Sequence, residues 1–208
     1  GRDAVQAPPP PAPMKIAGSI EGESLKVLGH SEGTVVGPQG GFGKGGGMPE
    51  PKAMVVSSVD STGQPSSRVV LLKSFDERGF VFYTNLESRK GREILAHPKV
   101  SLSFWWRELG KQVVVLGTAG LVGEAEADAY FATRPRTTQL GAWASQQSRP
   151  LPGGRAHLLA EVARLEAQHF GRPIPRPPHW SGSRVVPHWI ELWVSGAFRL
   201  HDRTVYER

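Results

Sequence analysis

The sequence predicts a mainly β protein with flanking helices, built as an antiparallel barrel. Runs rich in β-branched and aromatic residues follow one another through short turns, and most of them have no helix between them. Residues 53–59 and 67–75 are separated by a turn signal at 60–63, and a second turn at 76–79 leads into residues 80–84. Because parallel strands need long crossover connections, this order favours antiparallel pairing.

The downstream elements are assigned in the same way. Ser88 is a suitable N-cap, and Pro98 and Pro135 each end a predicted helix. Alternating and helical spacings then predict a helix over 89–96, strands over 100–106 and 112–122, helices over 124–133 and about 155–169, an extended linker over 171–178, and strands over 184–194 and 198–206.

The predicted strand at 67–75 is apolar on both faces, through Val69, Val70, Leu71 and Leu72. A strand of this kind is normally buried on both sides. We therefore expect it in a barrel wall or in a sheet covered by helices.

Residues 1–49 differ in composition from the rest. The first 50 residues contain 12 of the 25 glycines and 7 of the 18 prolines. Such a segment buries too little apolar surface to offset its ordering entropy, so we expect a disordered leader with a short ordered piece near residues 24–28. The run at 40–47 lacks the Gly-Lys-Ser/Thr ending of a phosphate loop and is interpreted as a flexible linker. The folded domain is expected to occupy residues 50–208.

Net charge and residue usage restrict the partners. The chain has 25 Lys and Arg against 19 Asp and Glu, a net charge of +6, which favours an anionic partner without choosing between a phosphorylated small molecule and nucleic acid. There is no cysteine, which excludes a disulfide framework and a cysteine-based metal site. No apolar run approaches the roughly 20 residues of a membrane helix, and the first residues lack the pattern of a secretory signal. We expect a cytoplasmic protein that does not bind a membrane.

Four cationic side chains lie at the ends of predicted elements: Arg68, Lys73, Arg89 and Lys90, around Tyr83-Thr84-Asn85. Positive charge beside exposed backbone N–H groups suits a phosphate-bearing ligand. Any one of these residues could simply be solvated, as most Lys and Arg side chains are. Together they indicate a phosphate site.

A second candidate group is Tyr130, Arg134 and Thr138, which are spaced by four residues. On a helix, the tyrosine hydroxyl and the guanidinium would share a face and could bind one anion. Because Pro135 ends the helix, Thr138 is expected to join them through a turn. A solvated helix face with Tyr130 packed on the core would give the same spacing.

A third group, Arg199, His201 and Arg203, alternates along the last predicted strand and would point to one side of it. Three potentially cationic groups on one face repel one another unless an anionic ligand or a carboxylate lies against them. The other histidines show no metal-ligand spacing, so no metal site is predicted.

The six tryptophans allow more than one interpretation. Aromatic rings beside basic residues can stack on nucleic-acid bases or against a planar cofactor, and most often they fill the core. The charge lies in separated clusters rather than along one stripe, which favours a small-molecule ligand over nucleic acid.

Several motifs of the chain resemble the pyridoxine/pyridoxamine 5′-phosphate oxidase family. The motifs are RVVLLK at 68–73, YTN at 83–85, ESRKG at 87–91, YF at 130–131, RPR at 134–136, QLGAW at 139–143, QS at 147–148 and RLHDR at 199–203. The likeness extends from about residue 50 to residue 208, and the last motif is highly specific in combination with the first.

The resemblance implies an FMN-binding split β-barrel that forms a homodimer with FMN at the subunit interface. It also implies oxidation of pyridoxamine or pyridoxine 5′-phosphate to pyridoxal 5′-phosphate, with O2 as acceptor and H2O2 as product. On this interpretation FMN performs the redox chemistry, and the protein supplies phosphate contacts and orientation.

The resemblance also implies roles for individual residues. It assigns FMN contacts to Arg68, Val69, Val70, Leu71, Leu72, Lys73, Tyr83, Thr84, Arg89, Lys90, Gln112, Gln147, Ser148, Trp193 and Arg203. It assigns substrate contacts to Lys73, Tyr130, Arg134, Thr138, Arg199, Leu200 and His201. Arg199 and His201 are the expected catalytic residues, with Arg199 covering the side of the pyridine ring that faces away from the flavin.

The chain departs from the family pattern at several positions. Thr138 replaces the usual serine, Val194-Ser195 replaces Gln-Gly, and Ser183 replaces an aromatic residue. The leader does not resemble the family's N-terminal helices, and the chain is expected to end at Arg208 before the family's final strand.

Two alternatives stay open at this point. One is another split-barrel flavoprotein oxidase, such as a phenazine-pathway enzyme, although Tyr130, Arg134 and Arg199 argue against it. The other is a truncated, non-catalytic member that binds flavin or pyridoxal phosphate.

Overall fold

The computed structural model of the chain describes residues 15–17, 24–28, 33–36 and 50–207. Three short strands, β1 (Lys15–Ala17), β2 (Ser24–Leu28) and β3 (Gly33–Val36), form a separate antiparallel sheet in the order β1-β2-β3. The ordered piece expected near residues 24–28 coincides with β2, whereas composition does not predict β1 and β3. The disorder expected for the rest of the leader concerns residues outside the described ranges.

The main body is one eight-stranded antiparallel sheet. Its strands are β4 (Ala53–Val59), β5 (Pro65–Leu71), β6 (Ser74–Asp76), β7 (Gly79–Asn85), β8 (Lys99–Trp106), β9 (Lys111–Leu121), β10 (Trp180–Val194) and β11 (Asp202–Glu207). Their order is β5-β4-β8-β9-β10-β7-β6, and β11 pairs with β10. The predicted antiparallel barrel architecture is confirmed as a curled sheet with flanking helices.

Two residues, Leu72 and Lys73, join the opposite edges of this sheet. The Leu72 amide donates to the carbonyl of Lys52 beside β4, and the Lys73 amide donates to the carbonyl of Val81 on β7. The sheet must therefore curl until β5 and β6 meet at a seam. The single strand predicted over 67–75 is wrong because the chain leaves one edge of the sheet there and enters the opposite edge.

Strand β10 connects the two halves of the fold. One of its edges pairs with β9, with a register shift between Pro187 and Trp189. Its other edge pairs first with β7 and then with β11. The pairing with β7 begins at Trp180, so the strand starts earlier than the predicted residue 184.

The helices that flank the sheet are α1 (Arg89–Ala96), α2 (Glu124–Thr133), α3 (Arg136–Ala144) and α4 (Gly154–Gln168). As predicted, the Ser88 hydroxyl caps α1 by accepting a hydrogen bond from the Gly91 amide at 3.2 Å. The sequence does not predict α3, because Pro135 ends one helix and is also the N-cap of the next. Thr138 consequently lies on a helix and not in a turn.

The core lies on the inner face of the curled sheet. Phe80 and Phe104 are buried there, and β8 alternates buried and more exposed residues as its sequence predicts. A second buried cluster joins α2, α3 and α4 to Trp180. The strand predicted to be buried on both sides is not buried in a single chain, since Val69 is 66% and Leu71 37% exposed. An apolar outer face of this kind is typical of a contact with a partner.

The last strand is shorter than predicted. In the 3₁₀ turn that precedes β11, Phe198 and Arg199 have positive φ angles of 56° and 64°. This left-handed backbone breaks the two-residue period of a strand before His201 is reached. The expectation that Arg199, His201 and Arg203 alternate along one strand face is therefore wrong.

Candidate active site

A cleft of about 470 Å³ opens where the seam of the barrel meets α2 and α3. It is lined by Val70, Leu71, Lys73, Tyr83, Thr84, Lys90, Tyr130, Thr133, Arg134, Pro135, Thr138, Gln147 and Trp180. Its size falls within the range of about 300–1,000 Å³ that is typical of small-molecule sites. The structure thus brings residues of the first two predicted groups into one cleft.

One wall of the cleft is aromatic. The Tyr83 ring stacks on the rings of Tyr130 and Trp180, with centroid distances of 4.0 and 5.0 Å. Burial raises the pKa of Tyr83 to about 12, and the Glu126 carboxylate adds to the rise. Burial also raises the pKa of Tyr130. Both hydroxyls therefore stay protonated and able to donate hydrogen bonds at neutral pH.

Arg134 is the C-cap residue of α2 and lies against this aromatic wall. Its guanidinium carbon is 4.8 Å from the centre of the Trp180 ring. Its Nη1 atom is buried and has no hydrogen-bond partner within the described part of the chain. Burial lowers the pKa of Arg134, although an arginine stays charged at any physiological pH. A buried charged donor without an acceptor is unfavourable, so Arg134 favours an anionic ligand in the cleft.

Two lysines add positive charge to the cleft. Lys73 lies at the seam, where burial and neighbouring cations, Arg134 among them, lower its pKa. Lys90 lies in the first turn of α1, where burial and the nearby Arg68 lower its pKa. The Lys90 ammonium is 3.4 Å from the Gln147 side-chain oxygen. An anion bound beside these lysines would stabilise their charged forms and oppose the effects of burial and of the neighbouring cations.

The other two cations of the first group are bound to a carboxylate of the protein. Arg68 Nη2 lies 3.3 Å, and Arg89 Nε 2.7 Å, from the carboxylate oxygens of Glu93 on α1. Arg89 also pairs with Asp60 at 3.8 Å. These two arginines lie next to the cleft and do not line it.

A second cluster of predicted residues lies at the far end of β10. Gln112, Trp193 and Arg203 are cross-strand neighbours on β9, β10 and β11. The ring of His201 lies 4.5 Å from that of Trp193. The strand register therefore brings together three predicted cofactor residues and one predicted substrate residue.

The two clusters lie at opposite ends of β10 and share no residue of the cleft lining. Trp180 lines the cleft, and Trp193 lies 13 positions further along β10. At a rise of about 3.3 Å per residue this is roughly 43 Å of strand. Arg199 and Leu200 lie in the exposed turn beside the second cluster and do not line the cleft.

Besides the two arginines and the Trp193 cluster, three further predicted cofactor residues lie outside the cleft lining. Val69 is exposed on the outer face, Leu72 is buried in the core, and Ser148 follows Gln147 with a positive φ of 61°. Conversely, the sequence does not single out Trp180 as a site residue. Its place in the cleft comes from stacking on rings that are distant in sequence, and its only local signal is its position after the Pro-rich linker.

Neither a metal centre nor a membrane span is found in the described ranges. No group of three or more His, Asp or Glu side chains converges there in a way that could bind a metal ion. No helix among these residues combines the length and the apolar character needed to cross a membrane. The polar groups that line the cleft are cations, hydroxyls and an amide.

A curled antiparallel sheet that closes at a seam defines a split-barrel fold, and its cationic cleft is suited to an anionic small molecule. The crystal structure of PhzG from Burkholderia lata 383, in complex with tetrahydrophenazine-1-carboxylic acid, has this fold. It matches with a TM-score of 0.72 at 39% identity, over 76% of this chain and 77% of that chain.

Sequence comparison identifies the family. A family model described as pyridoxamine 5′-phosphate oxidase matches residues 47–169, and one described as the pyridoxine 5′-phosphate oxidase C-terminal dimerisation region matches residues 180–208. A pyridoxine/pyridoxamine 5′-phosphate oxidase of Myxococcus xanthus (strain DK1622) is 59% identical over 159 residues, 76% of this chain and 77% of the relative. One of Rubrobacter xylanophilus is 57% identical over 162 residues, 78% and 74% of the two chains. The chain belongs to the pyridoxine/pyridoxamine 5′-phosphate oxidase family.

Proposed function

We propose that this chain is an FMN-dependent oxidase that converts pyridoxine 5′-phosphate, or pyridoxamine 5′-phosphate with uptake of water and release of ammonia, to pyridoxal 5′-phosphate, with O2 as acceptor and H2O2 as product. The observation that carries the proposal is Arg134, whose buried Nη1 atom has no acceptor among the described residues and lies in a cleft that it shares with Lys73 and Tyr130. Two cations and a protonated hydroxyl suit a phosphate monoester, which carries about −1.5 to −2 charge at neutral pH. Relatives that are 57–59% identical are named for this activity.

The substrate phosphate is bound by Lys73, Tyr130, Arg134 and Thr138. Arg134 contributes the buried Nη1 donor, which has no hydrogen-bond partner among the described residues. The Thr138 hydroxyl donates to the Pro135 carbonyl at 2.7 Å and rotates to donate to a phosphate oxygen. A serine could make the same rotation, so the threonine preserves the chemistry of this position.

The residues around the cleft fit FMN as well. Arg68, Arg89 and Lys90 cluster at the N-terminus of α1, where the helix dipole also favours a phosphate. An anion here would offset the burial and the repulsion from Arg68 that lower the pKa of Lys90. Thr84 and Gln147 line the same cleft and supply polar contacts for the flavin.

The complete site is formed by a homodimer with FMN at the interface. In this arrangement the cleft of one chain faces the Trp193 cluster of the other. Residues 180–208 contain Trp193, His201 and Arg203 of that cluster and match the family's dimerisation region. The exposed side chains of Val69 and Leu71 provide apolar surface for the dimer to bury.

The residues of the chain bind and orient the reactants. When bound, FMN supplies the redox chemistry by taking a hydride equivalent from the substrate and passing the electrons to O2. Lys73 and Arg134 fix the phosphate end of the substrate, which limits the positions that its ring can adopt. Arg199 and His201 of the second chain contact the pyridine ring, and Arg199 covers its outer face and excludes water. No strong general base is required of the protein.

The test is an assay of the purified chain. With FMN, pyridoxamine 5′-phosphate and O2, it should form pyridoxal 5′-phosphate and H2O2 in equal amounts, measured by aldehyde absorbance and a coupled peroxidase reaction. FMN binding without turnover of either phosphate ester would indicate the non-catalytic alternative. A chain that binds no flavin would overturn the proposal.

A phenazine-type oxidase is the second candidate, favoured by the likeness to PhzG. A carboxylate ligand carries a single negative charge, whereas the cleft offers the two cations Lys73 and Arg134 together with the Tyr130 hydroxyl. We therefore expect no turnover of tetrahydrophenazine-1-carboxylic acid under conditions in which pyridoxamine 5′-phosphate is oxidised. The opposite preference would establish the second candidate.

We also infer that residues 50–208 form the oxidase domain, that residues 1–49 are a leader outside it, and that the protein is cytoplasmic. Both family models match between residues 47 and 208, and a chain without cysteine is compatible with the cytosol. Deletion of residues 1–49 should leave the affinity for FMN and the thermal unfolding temperature unchanged. Weaker FMN binding or a lower unfolding temperature would contradict this division. Recovery of the protein in a membrane or secreted fraction would contradict the localisation.

A further inference from the structure

Glu93 is a buried carboxylate that none of the roles above uses. It lies on α1 and is only 6% exposed. Its Oε2 atom accepts hydrogen bonds from the hydroxyls of Ser58 and Ser66 at 2.6 and 2.7 Å. Arg68 Nη2 also donates to Oε2, at 3.3 Å, and Arg89 Nε donates to Oε1 at 2.7 Å. Each carboxylate oxygen therefore faces a cationic donor.

The carboxylate is ionised in this position. Burial alone would raise the pKa of Glu93, but the hydrogen bonds from Ser58, Ser66 and Arg89 and the charge of Arg68 outweigh it and lower the pKa to about 2. A buried charge is stable only when it is paired and hydrogen-bonded, and Glu93 meets both conditions.

The strands and the helix are arranged so that these partners converge. Ser58 and Ser66 are directly opposite each other on β4 and β5. Arg89 and Glu93 are four residues apart on α1 and share one helix face. Arg68 completes the arrangement, since its Nη1 atom donates to the Ser58 hydroxyl at 2.5 Å. The network fixes the orientation of two long side chains that would otherwise be mobile.

The network is adjacent to the cleft. Arg68 is close enough to Lys90 to lower the pKa of that lysine, and Lys90 lines the cleft. Arg89 and Lys90 are consecutive residues in the first turn of α1. Two of the three cations proposed for the flavin phosphate are thus bound by Glu93, and the third is their neighbour.

We propose that Glu93 is a positioning residue for the flavin phosphate, because its carboxylate holds the guanidinium groups of Arg68 and Arg89 in the orientation that binds the phosphate. This inference rests on the proposed function, in which these arginines contact FMN. Glu93 has two opposing effects. It fixes the cations, but its own negative charge repels a phosphate. If positioning dominates, removal of the carboxylate weakens phosphate binding. If repulsion dominates, removal strengthens it.

The experiment compares FMN with riboflavin, which lacks the phosphate. Apoprotein of the parent chain and of Glu93→Gln is titrated with each flavin, and quenching of flavin fluorescence gives the dissociation constants. The amide of glutamine places N–H donors against the arginines, so Glu93→Gln should weaken FMN binding about tenfold or more, the loss expected for charged hydrogen bonds. Riboflavin binding should change by less than about twofold, since the phosphate contacts are absent.

The control variant is Glu166→Gln. Glu166 also accepts a hydrogen bond from an arginine, Arg136, at 2.8 Å, but its side chain is half-exposed and lies on α4, away from the cleft. Its replacement should change neither flavin affinity. Equal losses for FMN and riboflavin with Glu93→Gln would show that Glu93 only stabilises the fold, and tighter FMN binding would show that repulsion dominates. Either result overturns the inference.

A double-mutant comparison keeps the test decisive if Glu93→Gln folds poorly. In an Arg89→Gln background, the conservative change Glu93→Asp should reduce FMN preference over riboflavin by less than it does in the parent chain, because one of its targets is already missing. Additive effects would overturn the inference. A parent chain that binds FMN no better than riboflavin would refute the proposed phosphate contacts themselves, which distinguishes the failure of the two proposals.

Discussion

Replacement of Arg134 by methionine tests the proposed substrate site directly. Methionine keeps apolar contact with Trp180 and removes the guanidinium, whose Nη1 atom is buried without a partner within the described ranges. A hydrogen bond to a charged group contributes about 1.5–3 kcal/mol, and about 1.4 kcal/mol corresponds to a tenfold change in affinity. Arg134→Met should therefore raise KM for pyridoxamine 5′-phosphate by roughly 10- to 150-fold.

The same substitution should leave the stability of the free protein nearly unchanged. Loss of the cation–π contact with Trp180 costs about 0.5–2 kcal/mol. Removal of a buried donor that lacks an acceptor returns about 1–3 kcal/mol. Because these contributions are similar in size and opposite in sign, we expect Tm to stay within about 4 °C of the parent value, which corresponds to about 1 kcal/mol for a chain of this length.

Steady-state oxidation of pyridoxamine 5′-phosphate and thermal unfolding measure the two effects separately. Arg164→Met is the matched control, since Arg164 bonds to Glu161 and Gln168 on the exposed side of α4. The control should change neither KM nor Tm. An unchanged KM in Arg134→Met would refute the reasoning, and so would a rise in KM accompanied by a large fall in Tm.

Three further predictions follow from the site and the proposed dimer. Burial and neighbouring cations lower the pKa of Lys73, so its ammonium group deprotonates at a lower pH than that of an ordinary lysine. Substrate affinity should therefore fall as the pH rises through this lowered pKa. KM measured between about pH 7 and 10 should show this loss in the parent chain and not in Lys73→Met. After subunit exchange, a mixture of Arg134→Met and Arg199→Ala chains should regain up to about a quarter of parental activity, since half of the dimers then contain one intact site; no recovery would contradict a shared site. Val69→Asp places a charge on a side chain that is 66% exposed and apolar in the single chain, so sedimentation should show dissociation toward monomer with an unchanged circular dichroism spectrum, and a persisting dimer would exclude this face from the interface.

Local sequence patterns correctly predicted the elements whose ends or buried faces depend on residues close by in the sequence. The Ser88 cap fixes the start of α1, and alternation along β8 predicts its buried face. Where the limit depends on a distant partner, the prediction failed. The break between β5 and β6 depends on Val81, which accepts from the Lys73 amide. Helix α3 was missed because Pro135 acts as a stop signal for α2 and as the start of the next helix.

The candidate site shows the same division. The spacing of Tyr130, Arg134 and Thr138 indicated one anion site, and all three line the cleft. The left-handed turn at Arg199 could not be read from the sequence, since arginine rarely adopts a positive φ. The length of β10, which separates the two clusters, could not be predicted from the sequence either, because it depends on pairing with three other strands.

Closure of the barrel and assembly of the phosphate site depend on the same residue. The backbone amide of Lys73 donates to Val81 and fixes the seam, while the Lys73 side chain enters the cleft. Arg134 reaches the same cleft from the junction of α2 and α3. The two cations therefore converge only when the sheet has curled, and in that state burial and neighbouring cations, Arg134 among them, lower the pKa of Lys73. We expect a bound phosphate to offset this effect, and a ligand that binds only the closed barrel would stabilise the closed form.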